Sequence, residues 1–172
     1  MNRLLSAIAF AAHKHRDQRR KDLVASPYIN HPIGLANVLA NEAGVEDEPV
    51  LIAAVLHDTI EDTQTTEQEL IGVFGKEIAD IVMEVSDDQT LSKAERKQLQ
   101  IDHAGSISRR AKLVKLADKI CNLRDIVNSP PANWSLERKQ AYFDWAKAVV
   151  DGLRGVHPAL EDIFDETYRL RP

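Results

Sequence analysis

The stretch Leu51 to Thr63, LIAAVLHDTIEDT, constrains this chain more than any other. Apolar residues Leu51 to Leu56 run straight into His57-Asp58, and Glu61-Asp62 follow. The run reads as a buried helix, yet its end carries one imidazole and three carboxylates. Desolvating a charge is costly, so buried carboxylates need partners, and a divalent metal is a common one. Helical spacing sets Glu61 one turn beyond His57 and Asp62 one turn beyond Asp58. Two of the four could hold a metal while the other two face the same cavity.

The rest of the chain offers helices to surround that run. Leu4, Leu5, Ile8, Ala11, Ala12 and His15 recur at helical spacing, which predicts a helix over 2–17. Asp22 to Asn30 has no period and reads as a loop. Pro32 opens a helix to about Ala43, stopped by Gly44, so His31 sits at a helix start. Asp47 and Pro49 open the helix that ends in the His57 cluster. Thr66 and Glu69 match a capping box, and Gly75 stops the helix that follows. Further helices are expected over 76–86, 92–102 (charged and exposed), 111–127, 135–153 and 158–169, with a polar break at 87–91. The 111–127 helix has a broad apolar stripe with Asp118 in its middle and Asn122 one turn on. Aromatics are only 5%, so Leu, Ile, Val and Ala carry the core, which suits packed helices. With no strand alternation, repeat or linker, the 172 residues read as one all-α domain, a helical bundle over 1–172.

Charge and composition narrow the partners. A net charge of −5 argues against nucleic acid as a bulk electrostatic partner. Positive charge is concentrated locally at Arg16, Arg19, Arg20 and Lys21, and again at Lys93, Arg96 and Lys97. Such runs are solvated surface by default, and phosphate binding is their functional reading. The single cysteine, Cys121, permits no intrachain disulfide. The N-terminus lacks a signal-peptide pattern, and no run approaches the ~20 apolar residues that span a membrane. A cytoplasmic protein is the expectation; its oligomeric state, a homo-oligomer included, is left open.

His31, His57, Asp58 and Asp118 each lie on or beside an apolar helix at an inward position. Helical metal sites are built this way, from side chains on facing helices. Two imidazoles and two carboxylates suit Mn²⁺, Fe²⁺ or Zn²⁺. His31 alone would be read as a hydrogen-bonded core histidine. His57-Asp58 behind an apolar run, with Asp118 buried elsewhere, favours the metal. Glu61 and Asp62 stay balanced between a solvated helix end and proton acceptors for a water beside the metal.

These words together resemble a known family. His31, His57-Asp58 and Asp118 resemble the HD superfamily of metal-dependent phosphohydrolases. Arg20-Lys21, YINHP (28–32), HDTIEDT (57–63) and KLADKICNLR (115–124) are similar to the hydrolase domain of RelA/SpoT-type stringent-response proteins. That family removes the 3′-pyrophosphate of the alarmones ppGpp and pppGpp. The chain ends at Pro172, where long members continue into synthetase and regulatory domains, and its Lys21–Pro27 loop is longer. Both features, with KAERK (93–97) and Trp134 to Tyr142, resemble the stand-alone small alarmone hydrolases, including the animal-type branch.

The resemblance implies Mn²⁺ held by His31, His57, Asp58 and Asp118, and an attacking water handled by Glu61 and Asp62. It implies Arg20 and Lys21 near the nucleotide, Lys93 and Arg138 on phosphates, and Asn122 facing the substrate. The expected activity is that of a guanosine-3′,5′-bis(diphosphate) 3′-pyrophosphohydrolase. Two rivals stand beside it. One is another HD phosphohydrolase, such as an NADPH 2′-phosphatase or a nucleotidase. The other is a non-enzymatic alarmone-binding module, against which the Glu61-Asp62 pair argues.

Overall fold

Helix α3, Glu48–Leu56, is the axis on which the other helices pack. A computed structural model describes residues 2–172. Asp47 caps α3 by accepting from the Val50 amide, and Pro49 fills its first turn, where no N–H is needed. Val50, Ile52, Ala53, Ala54, Val55 and Leu56 are 0% exposed, so the helix is buried on every side. Truncating a leucine in such a place costs about 2–5 kcal/mol.

Four helices surround α3: α1 (Asn2–Lys14), α2 (Asn30–Asn37), α6 (Lys76–Val85) and α8 (Arg109–Asn128). Between them run the single turn α4 (Thr59–Asp62), α5 (Glu67–Phe74), which packs on α6, and α7 (Lys93–His103). Then α9 (Leu136–Leu153) and α10 (Pro158–Tyr168) cover α8, and α7 lies against α9. The charged α7 buries none of its residues, as its sequence suggests. Among the described residues there is no strand, only an isolated bridge between Arg19 and Pro27 that closes a loop. The class is all-α. Among the described residues, no helix is long and apolar enough to cross a membrane.

Local departures from the sequence expectations have physical causes. The first helix ends at Lys14, and a turn carries the chain on to Asp17. The second begins at Asn30 and widens into a π turn over Val38–Glu42, with Ala43 N–H on Val38 O at 3.0 Å, before Gly44 (φ 70°) ends it. Glu42, in that turn, takes both guanidinium nitrogens of Arg124 on α8 at 2.9 Å.

The helix expected to end in the His57 cluster stops at the first member of that cluster, with His57 as its C-cap. His57 Nδ1 takes the Ala54 carbonyl at 2.8 Å and Thr59 Oγ1 takes that of Leu56 at 2.7 Å. These side chains satisfy two carbonyls at the helix end. Asp58 then turns the chain (φ −95°, ψ −1°) into α4.

The capping box at Thr66 is only half made. Thr66 accepts from the Glu69 amide, but the Glu69 carboxylate goes to Lys14 at 2.8 Å instead. The complete box is at Ser92 and Glu95, at the start of α7.

Candidate active site

The end of α3 meets the first turn of α2 and the middle of α8, and this crossing makes a cage. His57 donates Nδ1–H to a backbone carbonyl, which fixes its tautomer and turns the Nε2 lone pair inward. Asp58 Oδ2 stands 2.9 Å from that Nε2 and 3.9 Å from His31 Nε2. Asp118 Oδ1 stands 3.2 Å from His31 Nε2 and 3.8 Å from His57 Nε2. The ligand atoms of His31, His57 and Asp118 all lie within 4.8 Å of one another. Both rings are 6% exposed.

The donor set fits a divalent cation. Among the described residues, His57 Nε2 is buried without a hydrogen bond, and Asp58 Oδ2 stands beside it at 2.9 Å. An inward lone pair with two carboxylates beside it is what a cation requires, and the C-terminal end of α3 adds negative potential.

Electrostatics agree with that fit. Burial opposes ionisation of Asp58, but the His57 imidazole overrides it and holds the carboxyl well below its usual range. Burial likewise opposes ionisation of Asp118, and Lys119 and His31 override it in the same direction. Burial works against a charged His57, yet Asp58 and Asp118 outweigh it and raise the ring to about 9.

Neighbouring side chains steady the four. Asn122 Nδ2 donates to Asp118 Oδ1 at 2.6 Å, one helical turn away. Lys119 Nζ donates to Asp118 Oδ2 at 3.0 Å from a buried position 4.4 Å from the centre of the Trp145 ring. The Tyr28 hydroxyl donates to Asp58 in a short hydrogen bond. Burial, then the Asp58 charge, pushes that phenol far above its ordinary range.

Glu61 and Asp62 face different ways. Glu61 turns toward the segment after α6, where the Asp87 amide donates to it at 2.7 Å. Burial raises Glu61 to about 7 against the pull of that amide, with the Asp58 charge adding to the rise. Asp62 is exposed on the wall of a cavity of about 620 Å³ and accepts from Gln18 Nε2 at 2.9 Å.

His31 also lines that cavity; His57, Asp58 and Asp118 stand behind it. Arg19, Arg20 and Lys21 form a basic lip, and the Lys21 carbonyl accepts from Ala132 N–H at 3.0 Å, which ties that lip to the segment before α9. Arg20 is not a loose cation. Its guanidinium donates to Asp125 on α8 and lies 5.6 Å from the centre of the Tyr28 ring. Asn122, Trp134 and Tyr142 complete the wall.

Two expected phosphate ligands are not on this wall. Lys93 is exposed at the start of α7, and Arg138 stacks 4.4 Å from the centre of the Trp134 ring on its way out to solvent. Sequence reasoning gave no role to Tyr28, Gln18, Asp125, Trp134 or Tyr142. Tyr28 carried a signal in YINHP, three residues before His31, and Trp134 and Tyr142 bound the stretch that resembles the small alarmone hydrolases; Gln18 and Asp125 carried none.

A family model described as an HD domain matches residues 7–142. The guanosine-3′,5′-bis(diphosphate) 3′-pyrophosphohydrolase MESH1 of Xenopus tropicalis is 53% identical over 165 residues, covering 96% of this chain and 92% of that protein. The MESH1 protein of Homo sapiens is 53% identical over 168 residues, covering 98% and 94%. A solved structure of a metazoan orthologue of SpoT, described as hydrolysing ppGpp with a role in starvation responses, superposes with a TM-score of 0.96. It is 47% identical, over 99% of this chain and 96% of that one. A match over most of the length, with this cage at its centre, makes the chain a member of the HD domain family, in the branch that holds the MESH1 proteins.

Proposed function

We propose that this protein hydrolyses the 3′-pyrophosphate of guanosine-3′,5′-bis(diphosphate) and its pentaphosphate analogue, giving GDP or GTP and pyrophosphate. The observation that carries the reading is a His/Asp cage set against a cavity with a basic lip, at His31, His57, Asp118 and Arg19 to Lys21. The likeness to proteins named for this activity supports it.

His31, His57, Asp58 and Asp118 would hold one divalent ion, which we take as Mn²⁺, with Fe²⁺ and Zn²⁺ suited to the same donors. Such an ion supplies Lewis acidity toward a phosphate oxygen and acidifies water. Glu61, with its raised proton affinity, takes the proton of the attacking water. Asp62, on the cavity wall, orients that water. Overall, water gives its hydroxyl to the phosphorus on the ribose 3′ oxygen and its proton to that oxygen as the bond breaks. Arg20 and Lys21 neutralise phosphate charge, and Asn122 steadies Asp118 from the side that faces the substrate. Trp134 and Tyr142 offer flat apolar surface for a base.

The test is chromatographic analysis of products after incubation with ppGpp and Mn²⁺, with and without a chelator. GDP and pyrophosphate formed over many turnovers, and lost with chelator, are expected. A folded, Mn²⁺-loaded sample that leaves ppGpp intact overturns the reading, and NADPH in the same panel reports a 2′-phosphatase instead.

A further inference from the structure

His15 is 2% exposed and belongs to no part of the cage. Its Nδ1 lies 2.6 Å from Gln18 Oε1. Gln18 Nε2 in turn donates to Asp62 Oδ2 at 2.9 Å. The backbone of Gln18 is held on both sides, its N–H on His15 O at 2.9 Å and its carbonyl taking Tyr28 N–H at 3.1 Å. Gln18 is therefore fixed where it stands, with one end of its amide on a cavity carboxylate and the other on a buried ring.

The polarity of this row follows from chemistry. An ionised carboxylate only accepts, so the amide must present its NH₂ to Asp62. That leaves Gln18 Oε1 facing His15, and an oxygen only accepts, so His15 must carry its proton on Nδ1. In the neutral ring with that proton on Nδ1, the other nitrogen, Nε2, is an acceptor. Among the described residues it is buried with no hydrogen-bond partner. The His15 ring also packs 4.8 Å from Tyr28, whose hydroxyl holds Asp58, so one buried residue backs both the cage and the cavity carboxylate.

We propose that Gln18 is a positioning residue for Asp62, and that His15 sets the orientation of Gln18. The kinetic consequence rests on the function proposed above; the hydrogen-bond row itself does not. A group freed to drift by about an ångström can cost about 10²-fold in rate.

Two measurements test this. The first is ¹⁵N-histidine NMR of the wild-type protein, which needs no substrate and no variant. His15 is expected as the Nδ1–H tautomer, and an Nε2–H ring overturns the row. The second is a double-mutant cycle with ppGpp and Mn²⁺ on Gln18→Met, Asp62→Ala and the pair. Gln18→Met keeps the volume and removes the amide; Gln18→Glu, which cannot donate to Asp62, takes its place if the Met variant fails to fold.

Gln18→Met is expected to lower kcat by up to about 10²-fold with little change in melting temperature. Added to Asp62→Ala it is expected to cost nothing more. Losses that multiply in the double variant overturn the proposal, because Gln18 would then act through something other than Asp62. A protein with the Nδ1–H ring that leaves ppGpp untouched removes the reaction and keeps the row. An active enzyme with the Nε2–H ring does the reverse.

Discussion

The amide of Asp87 donates to Glu61 Oε1 across 2.7 Å, and Gln89 Nε2 reaches Oε2 at 3.1 Å. A carboxylate on the single turn after the cage is thus gripped by a segment 26 residues further on. Asp87 is itself fixed, by two contacts from Gln100 Nε2 at 3.0 and 2.7 Å and by the largely buried Lys115 ammonium at 3.9 Å. The grip lowers the proton affinity of Glu61, but burial prevails and leaves it at about 7.

Activity should therefore have an acid limb near pH 7, falling as Glu61 gains its proton. Glu61→Gln should lose about 10²–10⁴-fold in kcat at unchanged metal content. A pH–rate profile and metal analysis of the two proteins check this.

Stability gives a second readout of the same group. Its folded value of about 7 lies above the ordinary 4.5, so folding is favoured below about 4.5 and loses that advantage as pH rises through 7. Glu61→Gln should be the more stable protein at pH 8 and match wild type below pH 4.5. Urea melts at the two pH values measure the gap.

Mn²⁺ should stabilise the fold, by about 2.7 kcal/mol at a hundredfold excess over its dissociation constant. His57→Ala should abolish the shift. Because the metal-free ring holds its proton up to about 9, metal and proton compete. With one proton released per ion, affinity should tighten by about tenfold per pH unit below that point. Calorimetric titration at two pH values reads both effects.

Tyr28→Phe keeps the ring against His15 and removes the hydroxyl from Asp58. Loss of such an outer partner costs about 10–100-fold in metal affinity. An Mn²⁺ titration of the variant measures it, and its unliganded melting temperature should change little.

Gly152 supplies a control far from the cavity. A Cβ there would stand 2.7 Å from Ala104 Cβ, where the end of α9 crosses the residue after α7. Gly152→Ala should cost about 1–3 kcal/mol in a denaturant melt. Specific activity of the folded fraction should stay at the wild-type level.

What the sequence disclosed, and what it withheld, divides along physical lines. Stops at Gly44 and Gly75 were legible because each adopts a positive φ, at 70° and 90°. The apolar run of α3 and the stripe of α8 were legible because periodicity reports burial. His31, His57, Asp58 and Asp118 stood out because polar groups in such company need a partner. The break at His57-Asp58 was not legible. It depends on side chains bonding carbonyls of their own helix, and propensity does not register that. The π turn at 38–42 was hidden for a like reason. Gln18 and Asp125 matter only through residues 44 and 105 positions away, at Asp62 and Arg20, and no local pattern encodes such a distance. Lys93 and Arg138 were named from resemblance alone; neither lines the cavity, while Trp134 and Tyr142, on either side of Arg138 in sequence, do.

The Arg20–Asp125 pair has a consequence for whatever enters the cavity. An arriving anion meets a guanidinium that already holds a resident carboxylate through one nitrogen, so the two acceptors share its charge. A guest of low charge density has little to offer in that contest, and Asp125 acts as a threshold against it. Since part of the cation's charge is already compensated, binding at this lip should be less salt-sensitive than a bare arginine would make it.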